Sequence, residues 1–149
     1  MAGVRGGERN MQLFIATAAL VASLVMTWPV ASVATTYPVG DSMGWTAPPN
    51  SSFYEEWSAT KVFLAGDVLV FKFRTGLHNV IEVNSSNFKA CSTENPIGPK
   101  WTTGPAFVKL TPGERYYICG FPGHCHKGQK LSVLVAVSGA TAPSPTTGE

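Results

Sequence analysis

The stretch RYYICGFPGHCHKGQKLSVLVAV, residues 115–137, carries two alternating segments around a loop rich in cysteine and histidine. In RYYIC, Tyr117 and Cys119 fall on one face and Tyr116 and Ile118 on the other. In KLSVLVAV, Leu131, Val133, Val135 and Val137 align. A period of two in β-branched and aromatic residues is the mark of strands with distinct faces. Working outward, VLVFKF (residues 68–73) sets Leu69, Phe71 and Phe73 against Val68 and Val70, and shorter strands are expected at TYPVG, TKVFL, HNVIEV and FVKL. AGD (65–67) and TPGER (111–115) read as tight turns. Helical periodicity is poor, with short helical turns expected only around FYEEW and SSNFKAC. Seven to eight short strands in a domain of about 100 residues predict an all-β sandwich or Greek-key barrel.

The ends of the chain have a different character. Arg5 and Arg9 precede an uncharged run over residues 11–28, and the small residues ASVA follow at 31–34. A basic start, an apolar run and a small-residue cleavage site predict a secretory signal peptide over residues 1–34. The run is slightly long for that role, so an uncleaved anchor is the competing reading. Residues 139–149, GATAPSPTTGE, are small, polar and proline-bearing, and predict a disordered tail. The folded domain is therefore expected over residues 35–138. Asn50 and Asn84 each begin an NSS sequon, an acceptor for N-glycosylation in an exported protein.

Cleavage after Ala34 removes Arg5, Arg9 and Glu8, leaving nine basic and eight acidic residues and a net charge of +1. So small a charge argues against nucleic acid as a partner, because no basic field collects phosphates. Export also places the three cysteines in an oxidising compartment, where pairing leaves one thiol over.

Three readings compete for Cys119, His124, Cys125, His126 and the distant His78. In the first, Cys119 is a small buried hydrophobe, the other two cysteines pair, and the histidines lie on the surface. The second is a structural zinc site. It wants four converging Cys or His ligands, but neither C-x2-C nor H-x3-H spacing occurs, and adjacent side chains in extended backbone point apart. The third is a type 1 copper site, which wants two imidazoles, one thiolate and a weak axial donor. Cys119, His124 and Gln129 recur at five-residue steps along one loop, and His78, read as opening the strand HNVIEV, supplies a second imidazole. The triplet HCH at 124–126 resembles the link between copper sites in multicopper oxidases. A trinuclear cluster needs many more histidines than the three present, so His126 is read as an exposed neighbour of the site.

YPVGDSMGWT, FYEEWSATKVFLAGDVLVFKF, HNVIEV and YYICGFPGHCHKGQKL together resemble the phytocyanins, the plant blue copper proteins, across the whole expected domain. The resemblance implies a cupredoxin-like fold and one copper ion held by His78, Cys119, His124 and Gln129. It also implies a disulfide between Cys91 and Cys125. Glutamine at the axial position resembles the stellacyanin and mavicyanin branch, where others carry methionine. An amide oxygen is a harder donor than a thioether and favours the oxidised ion.

Asn79 has two readings, a bridge to the cysteine loop or an ordinary strand-edge polar residue. Phe121 is read as a shield or an apolar landing patch, His124 as the electron exit, and Trp45, Trp57 and Trp101 as packing residues. The function expected is a secreted one-electron carrier outside the cell, monomeric and without enzymatic turnover. Its redox partner, protein or small molecule, is not named by the sequence. The alternative is an interaction module at the cell wall or on the outer face of the plasma membrane, with copper structural or vestigial.

Overall fold

The computed structural model describes residues 33–138 of the chain. The expected signal peptide, apart from its last two residues, and the expected tail over 139–149 lie outside the described residues. In chain order the elements are β1 (Thr36–Pro38), α1 (Phe53–Ala59), β2 (Phe63–Leu64), β3 (Val68–Phe71), β4 (Val80–Val83), α2 (Ser85–Ala90), β5 (Lys100–Trp101), β6 (Ala106–Lys109), β7 (Gly113–Ile118) and β8 (Lys130–Ala136). They form a three-stranded sheet in the order β1-β3-β6 and a five-stranded sheet in the order β2-β8-β7-β4-β5. The all-β class and the count of eight strands agree with the sequence expectation.

The alternation of residues 115–119 explains both faces of the larger sheet. Tyr117 and Cys119 join the main core with Leu131, Val133 and Val135 of β8 and with Leu69, Phe71, Ala106 and Val108 of the smaller sheet. Ile118 joins a second cluster with Ile81, Val83 and Cys125, against which Tyr116 and Phe88 of α2 pack. Register follows from the same faces, with Tyr117 opposite Leu131 and Ile81 opposite Ile118. Trp45 and Tyr54 fill the main core near the site, their ring centroids 4.8 Å apart. The Tyr54 hydroxyl accepts the Thr46 N–H at 2.9 Å and donates to the Gly44 carbonyl at 2.8 Å, and burial pushes its pKa up to about 12.

The AGD turn is closed by the Asp67 N–H on the Leu64 carbonyl at 3.0 Å. The Asp67 carboxylate is buried and accepts the backbone N–H groups of Thr35 at 2.7 Å and Leu64 at 2.8 Å. One acidic side chain thereby ties the start of the domain and β2 to β3.

Several boundaries differ from expectation. β3 ends at Phe71 because the Lys72 carbonyl is taken by the Trp45 N–H at 2.8 Å, after which the chain turns between Arg74 and Leu77. His78 does not open the next strand. It stands two residues before β4, in a bridge with Thr75. β7 begins at Gly113, so the turn read over 111–115 is shorter, and Val137 lies beyond β8 and is exposed. The two-residue strand β5 was not expected, being too short to show a period.

Candidate metal centre

The loop after β7 is closed at its base by the Cys119 N–H on the Gln129 carbonyl, 3.1 Å. Inside it the Gln129 N–H reaches the His124 carbonyl at 3.0 Å, and the Gly128 N–H reaches the Cys125 carbonyl at 2.9 Å. Gly128 has φ +102°, and a Cβ there would stand 2.6 Å from Ser51 Cα, so the turn into Gln129 requires glycine on both counts. His78 arrives from the opposite side on the turn before β4.

These segments bring four donors together. His78, Cys119 and His124 are the group of metal-ligating residues among the described residues, their ligand atoms all within 4.8 Å of one another. His78 Nδ1 lies 3.2 Å from His124 Nδ1 and 3.1 Å from Gln129 Oε1, and Cys119 Sγ lies 3.6 Å from His124 Nδ1. Nitrogen donors about 2.0 Å and a thiolate about 2.3 Å from one small ion stand a little over 3 Å apart when spread around it. The observed spacings match such a shell. Two imidazoles, a thiol and an amide oxygen suit the type 1 copper donor set rather than closed structural zinc.

Burial sorts the donors. Gln129 and Cys119 are sealed at 0% and 1% exposure, while the two imidazoles are half-buried. Gln129 Nε2 has no hydrogen-bond partner. A buried amide that leaves its donor unpaired, at about 1–3 kcal/mol, while its oxygen lies 3.1 Å from His78 Nδ1 fits an oxygen held for an ion. It does not fit a surface amide. Burial pushes the Cys119 thiol pKa up, opposed by backbone hydrogen bonds from Asn79 and Phe121. Burial pushes the His78 pKa down, the Gln129 hydrogen bond opposes this, and the neighbouring His124 adds to it.

The surroundings hold the donors in place. Asn79 Oδ1 accepts the Gly120 N–H at 2.6 Å, and the Asn79 carbonyl accepts the Trp45 indole N–H at 2.9 Å. The bridging reading of Asn79 is the one the structure takes. Trp45 is core packing, as expected, and also a hydrogen-bonding support that sequence alone does not reveal. Cys91 and Cys125 form a disulfide with Cα atoms 5.7 Å apart, pinning the residue after His124 to the end of α2. Phe121 stacks beside the His124 ring, centroids 5.9 Å apart. His126 is exposed and outside the ligating group. Asn50 and Asn84 are both exposed, Asn84 serving as the N-cap of α2.

The sequence matches the plastocyanin-like domain family over residues 45–129. It is 42% identical over 106 residues to stellacyanin of Toxicodendron vernicifluum, covering 69% of this chain and 98% of that one. It is 44% identical over 98 residues to the basic blue protein of Cucumis sativus, covering 65% and 95%. Among solved structures, cucumber stellacyanin superposes with a TM-score of 0.64 at 36% identity, covering 71% of this chain and 99% of that one. Fold, donor set and kinship agree, and the chain belongs to the phytocyanins, the plastocyanin-like blue copper protein family.

Proposed function

We propose that this protein is a secreted one-electron carrier that works outside the cell through a single type 1 copper ion. The observation that carries the reading is the convergence of His78 Nδ1, His124 Nδ1 and Cys119 Sγ within 4.8 Å, with Gln129 Oε1 3.1 Å from His78 Nδ1. In this reading the two imidazoles and the thiolate are the principal ligands and Gln129 is the axial one. Copper held there supplies a one-electron couple. The residues of the chain keep the cage from rearranging when the charge changes. The 119–129 hydrogen bonds, the Asn79 bridge and the disulfide each fix a ligand or its neighbour. His124, half-buried beside Phe121 and followed by the disulfide, is the electron exit. The disulfide and the expected signal peptide over residues 1–34 both support an oxidising, extracytoplasmic setting. A carrier rather than an enzyme accords with a centre whose four donors are all committed to the ion.

The deciding experiment adds Cu(II) to the domain of residues 35–138, beside Cys119→Ser, and records optical and spin-resonance spectra. An intense blue thiolate-to-copper band with narrow hyperfine splitting, absent in the variant, is expected. A colourless protein, or a pale signal indifferent to the substitution, overturns the reading.

A further inference from the structure

Next to the metal centre, and sharing His78 with it, lies a groove of about 480 Å³. Met43, Trp45 and Thr46 line it from one segment and Lys72, Phe73 and Arg74 from another, the two joined by the Trp45 N–H on the Lys72 carbonyl. Leu77 and His78 complete the lining. The volume is in the range of small-molecule sites, about 300–1,000 Å³.

Its chemistry is specific. Met43 and Leu77, both in the lining, expose 43% and 48% of their surface. Lys72 and Arg74 are exposed, and neither forms an ion pair among the described residues, where the one pair is Arg115 with Glu82. No carboxylate lines the groove. Two unpaired cations beside exposed apolar side chains suit a ligand with an apolar body and one anionic end. A neutral molecule leaves both cations unmatched. A guanidinium presents paired N–H donors suited to a carboxylate.

We propose that this groove is a binding site for a small aromatic carboxylate, seated with its ring against the exposed side chains of Met43 and Leu77 and its anionic end at Lys72 and Arg74. The inference names a class of small-molecule partner for the centre and in that respect rests on the electron-carrier reading. The binding itself rests on the groove alone. An anion bound beside His78 favours the more positive state of the centre, so occupancy lowers its reduction potential.

The test is a titration of the reduced, copper-loaded protein with benzoate, followed by amide chemical shifts. Benzyl alcohol and acetate serve as controls for body without charge and charge without body. Expected are saturable shifts confined to residues 43–46 and 72–78, at least fivefold weaker binding of either control, and at least fivefold loss in Lys72→Gln/Arg74→Gln with the blue band of the oxidised protein unchanged. Absence of saturation, acetate binding as tightly as benzoate, or an unaffected double variant overturns the proposal. The two readings fail separately. Saturable benzoate binding to a protein that never turns blue keeps the groove and sinks the carrier, and a blue protein without saturation does the reverse.

Discussion

Asn79 and Gly120 are joined by a 2.6 Å hydrogen bond from the Gly120 N–H to the Asn79 side-chain oxygen, so the neighbours of His78 and Cys119 are a single mechanical unit. The bond spans 41 residues of sequence and brings the two sides of the cage to a fixed separation. A Cβ at Gly120 would stand 2.7 Å from Ile81 Cδ1, so any side chain there requires the buried Ile81 to shift.

Asn79→Ala removes the acceptor and leaves the partly buried Gly120 N–H unpaired. The expected loss of stability is about 1–3 kcal/mol, measured by urea denaturation of the copper-free domain. Copper in the variant should show a broadened, heterogeneous spin-resonance spectrum. A variant as stable as the parent, with an unchanged spectrum, would leave Asn79 as a bystander.

The disulfide is expected to matter through the unfolded chain. Cys91 and Cys125 are 34 residues apart, and a cross-link closing a loop of that size stabilises by about 3–4 kcal/mol in the chain-entropy view. Cys91→Ala/Cys125→Ala should therefore lower the stability of the copper-free domain by that order. It should also speed copper release, because residue 125 directly follows His124. A loss under about 1 kcal/mol, far below that entropic estimate, would mean that the hydrogen bonds of the 119–129 loop hold it unaided.

Protonation in the copper-free protein follows from burial. The Cys119 thiol is held protonated above its usual range, so binding copper as thiolate must expel that proton. Affinity should rise about tenfold per pH unit through the neutral range, one proton leaving per ion. His78, with its folded value lowered by burial, binds fewer protons folded than unfolded below about pH 6.5. Its contribution to stability is thus present above that value and lost as pH falls through the folded pKa. Cys119 has the opposite sign, its contribution present below the unfolded thiol value and lost as pH rises through the raised one. The stability of the copper-free domain should be highest between the two windows. A profile still climbing at acid pH would contradict the assignment for His78.

The strands with two faces were legible because a period of two sustained over five or more residues fits a pleated backbone and neither a helix nor a loop, as in residues 115–119 and 130–136. β5 was not, since Lys100 and Trp101 are too few to show a period and are strand only because β4 pairs with them. The end of β3 was hidden for a related reason. Lys72 and Phe73 continue the alternation, and only the tertiary bond from Trp45 diverts the backbone. At the site, the five-residue steps from Cys119 to Gln129 showed in the sequence because one loop supplies all three side chains. The supports from Trp45 and Asn79 reach across 34 and 41 residues, and no local pattern announces such a contact. The groove beside His78 was equally invisible, being assembled from two stretches, 43–46 and 72–78, that are far apart in sequence.

Gln129 is the position where sequence chemistry and structure combine into the sharpest prediction. Its side chain is fully buried, its oxygen faces the cage, and its Nε2 has no partner. Gln129→Met keeps the length of the side chain, removes the orphaned donor and substitutes a softer thioether. Because a softer axial donor favours the reduced ion, the reduction potential should rise while the blue band persists. The copper-free domain should be unchanged or about 1 kcal/mol more stable, since an unpaired buried amide is replaced by an apolar group. Voltammetry and urea denaturation on parent and variant separate the two effects. A fall in potential with the blue band intact would mean that the amide oxygen is not the axial donor, and that Gln129 shapes the loop through its backbone bonds to Cys119 and His124 alone.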